Sequence, residues 1–282
     1  MTEPQQQWTE TIDSRHSLFD LKLGEVWRYK DLIYMFVKRD FVSGFKQTIL
    51  GPLWFFINPI FTTIVYLVVF GGIAKLPTDG IPQVLFYLAG ITLWNYFSSC
   101  LLGTSNVFTG NAAIFGKVYF PRLVMPLTIV ISNLMKFGVQ FALFLVAWVY
   151  YLIQAKIEPN IWILATPLLV LLMAAFALGM GMIFSSLTTK YRDLQMLLSF
   201  GVSLLMYATP VIYPISALSG IWKKLAMYNP LTGIFECFKY GWLGAGDFSP
   251  VMLTISSVII FVLLAVGTVI FNKVEKSFMD TV

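Results

Sequence analysis

KRDFVSGFKQTILGPLWFFINP, residues 38–59, decides the fold, because within about two helical turns the chain passes from charged, surface-helix sequence into continuous apolar sequence. What precedes this junction is soluble in character, and nearly everything after it belongs in lipid. Of the 282 residues, 58% are hydrophobic, 16% aromatic and only 12% charged, more apolar surface than a water-soluble domain of this length can hide. The expectation is an all-α integral membrane protein.

The net charge of +5 does not point to nucleic acid, since lysines and arginines cluster at the ends of apolar segments rather than on one basic face. Cys100 and Cys237 stand apart from any CxxC or Cys/His cluster, so neither a metal site nor a structural disulfide is expected. Residues 1–22 read as a polar tail without the apolar core of a cleavable leader, which leaves targeting to the first span.

Residues 23–50 read as an amphipathic helix lying in the membrane interface. Leu23, Val26, Trp27, Ile33, Tyr34, Val37 and Phe41 share one face, and Glu25, Arg28, Asp31, Lys38 and Arg39 the other. Leu32 and Phe36 fall off the apolar face and are candidates for packing against protein. A hydrocarbon core of about 30 Å needs roughly 20 apolar residues per helix. Six segments qualify: 51–74, 83–107, 123–153, 161–187, 194–213 and 250–272. Six crossings return both termini to one side. Thirteen basic residues then fall on that side, including Lys117, Arg122, Lys190, Arg192, Lys273 and Lys276. Five fall opposite: Lys75, Lys156, Lys223, Lys224 and Lys239. The positive-inside rule places both termini in the cytoplasm. Residues 214–249 are too broken by proline and glycine for a seventh span and too apolar for a solvated loop. Two short re-entrant helices on the outer side, near 216–228 and 231–243, reconcile the two facts.

No aspartate or glutamate lies in the six segments, and the one histidine, His16, is in the tail, so ion-coupled transport is disfavoured. Paired carboxylates, metal clusters and nucleophile–base pairs are equally lacking, which disfavours a membrane-embedded enzyme. GNAAIFGK, residues 110–117, is not a nucleotide loop: five residues separate its glycines instead of four, and Val118 stands where serine or threonine is needed. An energy source, if used, belongs to another chain. Lys136 is the one charge inside a span, costing about 2.5–3.5 kcal/mol if centred. It reads either as a substrate or wet-cavity contact or as a snorkelling or locally paired lysine. The dense aromatics read as an interfacial belt, with a conduit lining as the sharper alternative, first among Tyr213, Trp222, Tyr228, Phe235, Tyr240 and Trp242. Ala177, Gly179, Gly181 and Ser185 carry small-xxx-small spacing that suits close helix packing within the chain.

Five motifs in order, YKDLIYMFVKRDF with KQTILGPLW and NP, then GKVYFPRLVMPL, YRDL, TPVIYP and YNPLTGIFECF, resemble the membrane subunit of ABC type 2 polysaccharide exporters, which move lipid-linked O-antigen, capsular or teichoic-acid chains. The resemblance runs from about Leu23 through the last helix and makes 51–282 the transmembrane domain. It implies a homodimer in a bacterial inner membrane with two copies of an ABC ATPase subunit, which binds ATP and Mg, and no cofactor or catalytic residue in this chain. The cargo implied is a polyprenyl-diphosphate-linked polysaccharide, with O-antigen first. Another amphipathic cargo is the alternative, and a membrane-bound glycan-modifying enzyme a more distant one. Asn111, Phe115, Lys117 and Arg122 match the family's coupling connection, and Tyr191, Arg192 and Asp193 a further cytoplasmic turn that otherwise reads as solvated. Residues 43–45, SGF, depart from the family pattern of a basic residue and tyrosine. Arg39 and Lys46 are then the nearest cations for a lipid diphosphate.

Overall fold

The computed structural model describes residues 23–278 other than 45, 47 and 119, and among these the chain is helical without strands. The tail expected over residues 1–22 lies outside the described residues, as does Phe45 of the SGF stretch. The amphipathic segment is two helices rather than one, α1 (Leu23–Arg28) and α2 (Lys30–Ser43), broken at Tyr29. The face that packs is also rotated from the expected one. Val26 and Val37 are buried, Leu32, Ile33 and Phe36 half-buried, and Trp27 and Tyr34 exposed.

The first apolar segment runs through Gly51–Ile73. Gly51 takes a positive φ of 53°, which glycine adopts without strain. Pro52 then opens a 3₁₀ turn, where its missing N–H is no loss, and α3 (Trp54–Tyr66) follows. Pro59 sits inside α3 without ending it, and its carbonyl accepts the Thr63 hydroxyl at 2.7 Å. The segment finishes in a π-helical stretch, Leu67–Ile73, so its backbone departs from regular α-geometry at both ends.

α4 (Gln83–Ser105) leads into two single-turn helices, α5 (Val107–Gly110) and α6 (Ala112–Phe115), and then into α7 (Val124–Ile153). A 3₁₀ turn, Ile161–Ala165, starts α8 (Thr166–Thr188). α9 (Leu194–Ala208) is followed by the hairpin α10 (Gly220–Tyr228) and α11 (Pro230–Leu243), and α12 (Pro250–Phe278) closes the chain.

Among the described residues, five segments are long and apolar enough to cross a membrane: Gly51–Ile73, Gln83–Ser105, Val124–Ile153, Ile161–Thr188 and Pro250–Glu275. The segment expected over 194–213 is shorter. α9 has 15 residues, about 22 Å at 1.5 Å per residue. It stops because Pro210 disfavours helical geometry at Thr209, which is extended at φ −108°, ψ 144°. The hairpin helices also start at defined signals. Residues 215–217 form only a 3₁₀ turn, so α10 begins at Gly220, later than 216. α11 begins with Pro230 behind the Asn229 cap, whose side chain accepts from Leu231 N at 3.0 Å, and ends at Gly244 in the left-handed conformation.

In lipid, apolar area gains little by moving from acyl chains to protein, so close packing and polar contacts must hold the bundle. α4 is the centre: 78% of its apolar window is buried, against 11% for the first segment. α8 packs between α4 and α12 at glycines. A Cβ on Gly181 would meet the Thr104 side chain at 2.5 Å, and one on Gly179 would lie 2.8 Å from the backbone of Leu264. The small-residue stripe is therefore a seam within the chain.

Candidate functional site

At one end of the bundle, α1 and α2 meet α5, α6 and parts of α7, α8 and α12. A second apolar cluster fastens them, with Val26, Val107, Phe108, Phe115, Phe120, Met182 and Phe271 buried in it. Thr188 Oγ1 donates to the Ser105 carbonyl at 3.1 Å, tying α8 to α4. The corner of residues 106–122 is thus a packed platform. Asn111 Nδ2 donates to the Val107 carbonyl at 3.0 Å, and the Asn111 carbonyl receives the N–H groups of Ile114 and Phe115. Phe115 is buried with its ring 5.6 Å from Phe120 and 6.2 Å from Phe108. Arg122 Nη1 donates to the Glu275 carbonyl at 2.5 Å, with its guanidinium 5.6 Å from the Phe115 ring. Phe115 and Arg122 therefore hold the platform together from within, whereas Lys117 is exposed on it.

Tyr191, Arg192 and Asp193 are exposed in the short turn between α8 and α9 at the same end, with Lys190 Nζ 5.3 Å from the Tyr191 ring. Arg39 is exposed, but Asp40 takes its charge at 2.8 Å and its guanidinium lies 4.6 Å from the Phe36 ring. Lys46 is exposed in the link to the first span.

Lys136 is half-buried in α7, and its Nζ donates to Asn133 Oδ1 at 3.2 Å, one turn away. One turn further along, Asn95 of α4 donates to Gln140 Oε1 at 3.2 Å. The lysine thus stands beside a polar seam between α4 and α7, and Asn133 is the local partner that one of its two readings requires.

The six hairpin aromatics divide sharply. Phe235 and Trp242 are core residues. The Trp242 ring lies 5.2 Å from Trp148 and 5.4 Å from Phe141, its Nε1 donates to Thr166 Oγ1 at 2.8 Å, and its carbonyl accepts from Trp148 Nε1 at 2.7 Å. Tyr213 and Tyr240 are half-buried. The Tyr213 hydroxyl donates to the Tyr207 carbonyl at 3.0 Å, and the Tyr240 ring stacks on Phe248 at 5.6 Å. Trp222 and Tyr228 are exposed on α10. Glu236, and Lys239, which the charge count placed simply among the outer basic residues, are both buried in α11. Their i, i+3 spacing in an otherwise apolar helix is the signal that marks them as a pair.

Long apolar helices, joined at one end to an amphipathic helix pair and at the other to a helical hairpin, define a multi-pass membrane protein. The chain belongs to the ABC-2 type transporter family, whose model matches residues 31–243. It is 28% identical over 255 residues to the O-antigen export system permease protein RfbA of Klebsiella pneumoniae, covering 89% of this chain and 94% of that one. It is 28% identical over 218 residues to the protein of the same name from Myxococcus xanthus, covering 76% and 81%. The inner membrane transport permease YadH of Escherichia coli is 22% identical over 213 residues, covering 73% and 82%. The chain is accordingly a permease subunit of this family rather than an enzyme.

Proposed function

We propose that this chain is the membrane-spanning subunit of an ATP-driven exporter that moves a polyprenyl-diphosphate-linked polysaccharide, O-antigen first among candidates, across a bacterial inner membrane. The observation that carries the reading is the packed platform at the α2 end, because it presents Lys117 and the 191–193 turn outward while Phe115 and Arg122 keep it rigid. Such a surface suits a separate ATPase subunit that binds ATP and Mg and pushes on the helices it abuts. Both termini then lie in the cytoplasm, as the charge distribution requires. α9, with residues 209–213, supplies the sixth crossing, and the α10–α11 hairpin dips into the outer interface.

The exposed face of the first span and that of α9, which includes Met196, Leu197, Phe200 and Leu204, suit a second copy of the chain, so the working unit is a homodimer with two ATPases. The lipid tail of the cargo stays in the bilayer, because exposing it to water costs about 0.8 kcal/mol per CH₂. Only the diphosphate and sugars need a protein path. Arg39 and Lys46 beside the first span attract the diphosphate, while Trp222, Tyr228 and the half-buried Tyr213 and Tyr240 offer rings and hydroxyls to sugars at the exit.

The test is the purified chain with its ATPase in vesicles. Polyprenyl-diphosphate glycan is expected to stimulate ATP hydrolysis and to become accessible to a lectin on the far side. Stimulation by small lipids or drugs with indifference to the glycan would overturn the cargo, and glycan modification by this chain alone would overturn the transport reading. Cysteines at positions 117 and 191 are expected to crosslink to the ATPase in a working complex. Arg39→Ala with Lys46→Ala is expected to lower glycan-stimulated hydrolysis by at least about tenfold, since each charge-assisted hydrogen bond lost costs about 1.5–3 kcal/mol. Full stimulation in that variant would remove both residues from the site.

A further inference from the structure

α11 buries two charges one turn apart. Glu236 is 0% exposed and Lys239 2%, with Lys239 Nζ 3.6 Å from Glu236 Oε1 and 4.2 Å from the Phe86 ring centroid in α4. The ammonium faces the backbone of another element. It donates to the Pro210 carbonyl at 2.5 Å and reaches that of Tyr213 at 3.5 Å, in the stretch where α9 has unwound. Nearby, Asn229 at the start of α11 donates to Thr209 Oγ1 at 2.9 Å. The other carboxylate oxygen, Glu236 Oε2, accepts from Asp247 N at 3.1 Å, and the Asp247 carboxylate takes Lys223 of α10 at 2.6 Å.

Stability alone does not account for such a pair, since well-packed apolar residues of similar volume often do as well or better in its place. Packing is already supplied by Phe235, Phe238 and Trp242. What an apolar residue cannot supply is a donor for the carbonyls that the break at Pro210 leaves without helical partners.

We infer that Glu236 and Lys239 are a positioning pair for the exit end of the transport path. Glu236 holds the ammonium in place, and Lys239 grips the Pro210 and Tyr213 carbonyls, so that the end of α9 and helix α11 move as one body. This rests on the transport reading, in which α9 presents Phe200 and Leu204 to the second copy. A displacement of α9 then carries the hairpin with it.

The test uses the full chain with its ATPase in vesicles, spin-labelled at Leu204→Cys and Ala245→Cys and diluted with unlabelled chain. Both native cysteines are buried. Lys239→Met alone leaves Glu236 buried without its cation and is expected to reduce assembly. Glu236→Gln with Lys239→Met removes the charges and is expected to restore assembly. It should also broaden the narrow label distance and cut glycan moved per ATP by about tenfold, with basal hydrolysis unchanged. The same narrow distance and full export in that variant would overturn the inference. If it does not assemble, Glu236→Gln with Lys239→Gln decides, because the amide keeps a donor for Pro210. A narrow distance there supports the inference, and a broad one with full export overturns it. The distance requires no cargo, so a wild-type complex that moves no glycan would sink the transport reading and leave this measurement standing.

Discussion

Gly179→Val is expected to leave almost no assembled protein, because it drives a side chain into a contact where neither partner can yield. A Cβ at this position would lie 2.8 Å from both the N and Cα of Leu264, and one on the facing Gly267 would run into the Gly179 carbonyl. The two helices touch backbone to backbone. Overpacking costs about 1–3 kcal/mol where side chains can rearrange, and here whole helices would have to separate. Moving α12 would also disturb the Arg122 bond to Glu275 and the ring of Phe271, stacked on Phe108 at 4.6 Å. Detergent-extracted protein should lose its monodisperse peak in size exclusion. Gly138→Ala in α7 is the control, since its Cβ would meet nothing within 4 Å. Alanine suits a helix interior better than glycine by about 1 kcal/mol, so this variant should retain the peak. A normal peak for Gly179→Val would show that the α8–α12 seam is looser than these contacts require.

The same glycine shows where sequence stops being informative. Small residues four apart announce close packing, because only they let helix axes approach, yet the pattern does not say which helix comes near. Gly179 meets α12 and Gly181 meets α4, a choice made by the whole bundle. The apolar runs were legible because a membrane core demands about 20 such residues at a stretch. The early end of α9 was legible in principle from Thr209–Pro210, but apolar composition continues past it and suggested a longer helix. The break at Tyr29 has no sequence signal, since neither glycine nor proline is present there. Lys239 looked like one of the few basic residues of a polar side. Its burial depends on Glu236 and on carbonyls nearly thirty residues earlier, which charge counting along the chain cannot relate. Arg122 likewise finds its partner 153 positions away, at Glu275.

Trp242→Ala and Trp222→Ala are expected to fail in opposite ways, although both remove a tryptophan from the same hairpin. Trp242 is 8% exposed and Trp222 69%. Removing the Trp242 ring opens a cavity beside Phe141, Phe144, Phe238 and Trp148, for which large-to-small changes cost about 3–5 kcal/mol. It also leaves the Thr166 hydroxyl without the indole donor. A protein held by about 5–15 kcal/mol cannot lose that much without a large fall in melting temperature and yield. Phe235→Ala, at a fully buried site, should behave like Trp242→Ala. Trp222 and Tyr228 project from α10, so Trp222→Ala with Tyr228→Ala should keep assembly, melting temperature and basal ATP hydrolysis. If these two rings meet sugars, glycan export by that variant should drop about tenfold or more, since an aromatic contact is worth about 0.5–1.5 kcal/mol per ring. Unchanged export would return both residues to the interfacial belt, where an amphipathic ring at the water–lipid boundary needs no ligand.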